Sequence, residues 1–366
     1  MNDDLYRARR DNARQAIRQA GIGLLLVGPS ASFGYLTGRR ALLTERLVAL
    51  AIGADGKDTI VCPRLQAPLY EDVAVIDMLV WDEADDPVRS LADLCAAQSA
   101  SAVAFNDEFW SSFVLRLARL APGLAMHGGE LLGELRMRKD AGELARLRKA
   151  AERIDAVWAA FCDTAGRLAG QTEFALRKLI DGLMRDMGFS EVTWVDVGAG
   201  PNGASPLHHG SEHVIREGEP VVFDYAGCFD GYYGDICRVA LTGKADPAYL
   251  ELYELVHTAQ EAAFQAIRPG VPAWEIDAVA RNLFAARGLD QYFTHRLGHG
   301  IGMAAHEDPY IVAGNMRALA PGMTFSNEPG LYIPGKWGAR IEDIVAVTET
   351  GGERLTQASR ELVLLN

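Results

Sequence analysis

Acidic residues sit inside three runs that otherwise read as buried strands, and this conflict constrains the chain more than any other feature of its sequence. The run PVVFDYAG places Asp224 directly after Val221, Val222 and Phe223, GYYGDICRVAL carries Asp235, and ARIEDIVAV carries Glu342 and Asp343. A carboxylate taken out of water without a partner is costly. One such residue is most simply an edge-strand acid turned to solvent. Several in one region are better explained by a shared cation, which lets each stay ionised while buried.

Histidines point the same way. The segment THRLGHGIGMAAHED contains His295, His299 and His306, and Gly298, Gly300 and Gly302 surround the middle one, so that backbone can pack closely about it. The HExxH zinc-helix pattern is absent, because no Glu follows either His in the required place. These could be plain loop histidines, but beside acidic strands they more often mark metal or acid–base chemistry. In SNEPGLY, Glu328 precedes Pro329 and Gly330, a turn that sets the carboxylate at a strand end. Asp224, Asp235, His299, Glu328 and Glu342 together form an oxygen-rich set with one imidazole, which suits Mn, Fe, Co or Zn better than Ca. Four carboxylates also balance two divalent ions, and a neutral site is less costly to desolvate than either half.

The 366 residues are too many for one typical core and imply two domains. Residues 1–135 alternate helical segments with short apolar runs (GLLLVG, LVALAIG, TIVCP, SAVAFN), a pattern expected of a sheet flanked by helices. Gly34 and Gly38 punctuate the segment after the first strand. No phosphate loop or dinucleotide fingerprint occurs there, and the acidic cluster at 82–86 reads as a solvated loop. From Leu135 to Phe161 the chain becomes helical, with Leu144, Leu147, Ala151, Ile154 and Trp158 on one face. The boundary is expected near residues 133–140, giving domains 1–134 and 135–366. The second part mixes helices and strands in an α+β pattern. A net charge of −13 argues against nucleic-acid binding. The apolar runs are too short for a membrane span, and the N-terminus lacks a secretory signal. Five cysteines without a CxxC pair fit free thiols in a reducing cytoplasm.

The blocks FDYAG, GYYGDICR, HRLGHGIG, NEPG and RIED, in that order, resemble the pita-bread metallopeptidases. The nearest groups are the Xaa-Pro dipeptidases and Xaa-Pro aminopeptidases, with creatinase as a related metal-free branch. The GYLTG stretch at 34–38 gives a looser likeness to the creatinase-type N-terminal domain. The resemblance implies a pita-bread catalytic domain over 135–366 and a smaller creatinase-type α/β domain over 1–134, which shapes substrate access and mediates contacts in a homodimer. It implies two divalent ions, manganese first, with Co, Fe or Zn as alternatives. Asp224 would bind one ion, His299 and Glu328 the other, and Asp235 and Glu342 would bridge both. A hydroxide shared by the ions would attack the carbonyl of an Xaa-Pro bond in a dipeptide or short peptide. Glu328 would take the proton, His295 and His306 would polarise the carbonyl, and Arg340 would position its neighbours. The family's loop carries a Pro-His pair; here Leu207 separates Pro206 from His208, so either His208 or His209 is expected in that role, and His208 is the candidate. The altered loop keeps open a small cyclic or non-peptide C–N substrate. A non-catalytic peptide-binding module is disfavoured, since every ligand position is filled.

Overall fold

The computed structural model describes residues 3–366, which form two compact units divided between Arg136 and Met137. In the first unit the order is α1 (Asp3–Gln19), β1 (Leu24–Val27), α2 (Ala31–Thr37), β2 (Ala49–Gly53), β3 (Asp58–Pro63), β4 (Asp77–Trp81), α3 (Pro87–Ala97), β5 (Ala102–Phe105), α4 (Ser111–Leu120), β6 (Ala125–His127) and α5 (Glu130–Met137). The strands form one mixed sheet in the order β4-β3-β2-β1-β5-β6. The four apolar runs named above are its four inner strands. β4 and β6 were not legible, because one is half-exposed and the other has only three residues. The segment after β1 is a helix. Ser30 caps its start, Gly34 lies inside it, and only Gly38, with φ of 70°, ends it.

Helix α1 buries arginines instead of a purely apolar face. Arg10, 1% exposed, donates from Nε to Asp58 Oδ2 at 2.9 Å, and Arg14 donates to Oδ1 of the same residue at 3.0 Å. Arg10 also donates to the carbonyls of Leu36 and Ala74. The long stems cover the sheet while the charged heads are satisfied at its edge.

The second unit contains α6 (Ala141–Thr164), α7 (Glu173–Asp186), β7 (Glu191–Ala199), β8 (Pro220–Phe229), β9 (Tyr232–Leu241), α8 (Pro247–Ala266), α9 (Ala273–Ala285), β10 (Gly298–Gly300), β11 (Glu307–Ile311), β12 (Thr324–Asn327), β13 (Gly330–Ile333), β14 (Trp337–Arg340), β15 (Asp343–Val347), β16 (Gly352–Arg354) and β17 (Val363–Leu364). Asp140 and Glu143 form a capping box at the start of α6. The helix buries Leu147, Ala151, Ile154 and Trp158 of the face read from the sequence, and Leu144 at its start is half-buried. One sheet runs β17-β9-β8-β7 and a second β11-β10-β12-β15-β16, with β13 and β14 as a separate hairpin.

Strand alternation decides where the acids point. Val221, Phe223, Tyr225 and Ile236 join Trp158, Phe161, Leu176 and Ile180 in one apolar cluster. With a period of two, Asp224 and Asp235 therefore face the other side of the sheet. A bridge between Cys237 on β9 and Glu342, between β14 and β15, brings the two sheets together on that side.

Removing the carboxylate of Asp58 would leave Arg10 with only carbonyl partners, and Arg14 with the Gly53 carbonyl and the exposed Asp11. Asp58→Ala is expected to destabilise the first unit by about 3–5 kcal/mol, read as a lower urea midpoint. A midpoint within error of the parent would show that the pair contributes nothing.

Candidate metal centre

Asp224, Asp235, His295, His299, His306, Glu328, Arg340 and Glu342 all line one cavity of about 610 Å³. Within it, Asp235, His299 and Glu342 offer ligand atoms that lie within 4.8 Å of one another. They come from β9, β10 and the β14–β15 junction, three segments far apart in sequence.

The imidazole of His299 shows what this point is built to hold. Its Nδ1 lies 3.1 Å from the carbonyl of Gly300, which can only accept, so Nδ1 carries the proton. Nε2 therefore presents a lone pair, yet it faces Glu328 Oε1 at 3.4 Å and Asp235 Oδ2 at 3.7 Å. A lone pair aimed at two ionised carboxylates is repulsive, so either a proton or a cation must lie between them. Asp235 is 1% exposed, and neither of its oxygens has a hydrogen-bond partner. These residues fit a divalent cation: a neutral imidazole fixed through its other nitrogen, with buried carboxylates otherwise unsatisfied. Burial, reinforced by neighbouring carboxylates, raises Asp235 and Glu342 well above the usual carboxylate range, and burial pushes Glu328 up to about 7.

The backbone around His299 is as tight as its glycines suggested. A Cβ on Gly298 would lie 1.8 Å from the Ser326 carbonyl oxygen, and one on Gly300 would lie 2.3 Å from that of Asp308. Ser326 Oγ also accepts from the His299 N–H and donates to Glu328, tying two of the candidate ligands together.

Asp224 sits at the edge of this cluster. Its Oδ2 accepts from Arg340 at 2.9 and 2.6 Å, and its Oδ1 accepts from the indole N–H of Trp194 at 2.7 Å. Arg340 also donates to the hydroxyl of Tyr332. His295 donates from Nδ1 to the Arg296 carbonyl, so its Nε2, 2.8 Å from Tyr332 Oη, accepts. Burial, then Arg340, pushes His295 down to about 4, which keeps the ring neutral. Both of its ring nitrogens are thus engaged within the protein. His306 packs against His299 with centroids 3.9 Å apart and the rings tilted by 46°, and meets Trp194 edge-on.

His208 is the candidate that the structure does not bring to the cavity. Its Nε2 lies 2.8 Å from Glu173 Oε2. His209 lines the cavity instead, with Pro206 and Leu207 of the same loop, and its Nδ1 lies 2.6 Å from Asp196 Oδ1. Glu173 is fully buried and also accepts from the Ala199 N–H, Asn202 and Ser211, so it straps the whole loop to the start of α7. Burial works to raise Glu173, but these donors outweigh it and hold it below its ordinary value. Trp194, Asp196, Arg296 and Tyr332 also belong to the site and were missed from the sequence. Trp194 and Tyr332 read as ordinary core aromatics, and only Asp196, inside VTWVDVG, carried the acid-in-a-strand signal.

A buried carboxylate–imidazole cluster between two sheets of an α+β unit defines a metallopeptidase-type centre, and the second unit has the pita-bread fold. The chain belongs to metallopeptidase family M24: residues 145–349 match that family, and residues 9–138 match the creatinase/prolidase N-terminal domain. It is 40% identical over 367 residues to a protein named probable dipeptidase PepE from Mycobacterium bovis, covering 99% of this chain and 97% of the relative. It is 32% identical to an Xaa-Pro dipeptidase of Lactobacillus delbrueckii subsp. lactis, covering 97% and 98%. Among solved structures, dipeptidase PepE from Mycobacterium ulcerans superposes with a TM-score of 0.93 at 40% identity, covering 100% of this chain and 99% of the other. Recombinant prolidase from Thermococcus sibiricus gives a TM-score of 0.93 at 35% identity, covering 98% and 99%.

Without a cation, the raised carboxylates stabilise the fold in their protonated forms. That contribution is complete below the unfolded carboxylate values of about 4 and is lost as pH rises through the folded ones, which for Glu328 is about 7. Chelator-treated protein is expected to lose thermal stability from about pH 5 to pH 8. Divalent metal should restore it, most strongly at the upper end. Equal melting midpoints with and without metal at alkaline pH would show that the cluster holds no cation.

Proposed function

We propose that this chain is a metal-dependent dipeptidase that cleaves Xaa-Pro bonds. The observation that carries the reading is the His299 lone pair facing the unsatisfied Asp235 carboxylate. The relatives named as Xaa-Pro dipeptidase and prolidase support the substrate class. Asp235, His299, Glu342 and Glu328 would hold divalent metal. Asp224 would complete the set through Oδ1, which accepts only from Trp194 and keeps a further lone pair, while Arg340 occupies Oδ2 twice. Two ions, manganese first and cobalt, iron or zinc as alternatives, suit these donors. When bound, they supply Lewis acidity and an activated water.

The chain's own residues do the rest. Glu328 takes the proton of the attacking water, while Arg340 and Tyr332 lock His295 and Asp224 in place. The scissile carbonyl needs a donor that is not already engaged, and His209 and His306 line the cavity where His295 has no nitrogen to spare. His209 takes the role expected of His208. On the cavity wall, Arg296 lies 4.2 Å from the Tyr310 ring centroid and makes no ion pair among the described residues. A guanidinium so placed suits the C-terminal carboxylate of a dipeptide and favours a dipeptidase over an aminopeptidase. Residues 1–134 would serve as the access-shaping domain of a homodimer. Five unpaired cysteines are consistent with a reducing cytoplasm. A cyclic or non-peptide C–N substrate loses its motive once His209 fills the loop position.

Metal-loaded enzyme should release proline from Ala-Pro, and Asp235→Ala should reduce the rate by more than about a hundredfold with parallel loss of bound metal. Release of proline from no Xaa-Pro peptide would sink the proposal. Between the loop histidines, His209→Ala should lower kcat by about a hundred- to thousandfold, as loss of one oxyanion donor does. His208→Ala should act mainly on stability through the Glu173 strap. The reverse ranking would return the role to His208.

A further inference from the structure

Asp196 is a carboxylate of the cavity that the hydrolytic scheme uses only through Oδ1, as the partner of His209. It lies on β7 in register with Asp224 on β8, and its side chain is 9% exposed. In-register residues of an antiparallel pair lie about 4.5–5.5 Å apart, so Asp196 stands directly beside the metal cluster without joining it. The set of Asp235, His299 and Glu342 does not include it.

Nothing in the protein fully answers this charge. Arg340 is the guanidinium that acts on it. Its N–H groups go to Asp224, to the Tyr332 hydroxyl and, at 3.4 Å, to the Pro206 carbonyl. The hydrogen-bond partner of Asp196 is His209, whose ring is 68% exposed. That contact takes Oδ1 and leaves Oδ2 for a ligand. The opposite charge in the cavity is Arg296, which is held over Tyr310 and acts on His306 and Glu328 rather than on Asp196. Once the metal ligands are set aside, the cavity keeps one spare carboxylate and one spare guanidinium at different places on its wall.

We propose that Asp196 is a specificity residue that binds an ammonium group of the substrate. This rests on the dipeptidase reading above and names what that site selects. A neutral or acylated group in the same place would leave the carboxylate desolvated and unpaired beside Asp224. The ammonium can come from the substrate's N-terminus or from a lysine side chain in the first position; the two share one chemistry and separate by experiment.

The test compares metal-loaded parent, Asp196→Asn and Asp196→Ser on Ala-Pro, Lys-Pro and N-acetyl-Ala-Pro. Bound metal and melting midpoint are measured alongside, so that a variant with a disturbed fold is recognised. If the α-ammonium is the ligand, KM for Ala-Pro rises about ten- to a hundredfold in both variants, while the poor turnover of the acetylated peptide does not change. If the side chain is the ligand, Lys-Pro alone loses its advantage over Ala-Pro. Equal fold-losses on all three peptides, or none on any, overturn the proposal. The uncleavable ketomethylene analogue of Ala-Pro and its N-acetyl form, titrated calorimetrically, separate this from the parent reading. If the parent enzyme cleaves nothing yet the variants selectively lose the free-amine analogue, ammonium recognition stands and the hydrolytic reading falls. Equal binding of the free-amine analogue by parent and variants overturns the inference even where hydrolysis is normal.

Discussion

A carboxylate held away from water with no donor to answer it is the constraint on which the second unit depends. Asp235 reaches that position because β9 has a period of two. One face of the strand joins the apolar cluster beneath α6 and α7, so the other face must carry whatever the sequence puts there. The desolvation cost of such a group is several kcal/mol. The apolar clusters on both sides of the sheets are large enough to hold it in place. The remaining features of the site respond to that charge. A histidine has its proton pinned on the far nitrogen, a second carboxylate arrives from another sheet, and an arginine fastens the acid next door.

Glu342 and Asp343 show how closely a structural and a functional acid can resemble each other in sequence. They are neighbours in one apolar run, and alternation sends them to opposite sides. Asp343 meets Arg238 at 2.7 Å, Gln260 at 2.8 Å and Thr356 at 3.1 Å, with Arg354 and Arg360 close by. Burial alone would raise it, but those arginines hold it below the ordinary range. Glu342 faces Asp235 and Glu328 and moves the other way. One residue is a buried ion-pair hub, and the other is a ligand in search of a cation.

Much of this was legible because buried charge conflicts so plainly with apolar strand patterning. The acids at 224, 235 and 342, the glycine-flanked His299 and the turn after Glu328 each left a local mark, and all of them line one cavity. The central strands of the first unit were visible for a similar reason, since continuous apolar runs have few other uses. What escaped was decided by tertiary partners. Trp194 and Tyr332 look like core aromatics until their polar atoms are seen bonded to Asp224 and Arg340. The choice between His208 and His209 depended on Glu173, 35 residues away from His208, and no spacing rule reveals such a strap.

The glycines around His299 carry a consequence for how the site can vary. The atoms that a Cβ at 298 or 300 would strike are main-chain carbonyl oxygens, not side chains. Gly338 has the same relation to the carbonyl of Gly203, at 1.9 Å. A clash between side chains can be relieved by trimming the neighbour, so such positions drift in pairs. A clash with backbone cannot, because every residue type brings the same carbonyl. Replacing the contacted residue therefore cannot relieve a side chain at these positions. The segments bearing the ligands are spaced by bare polypeptide, and that spacing can change only if the path of the chain itself moves.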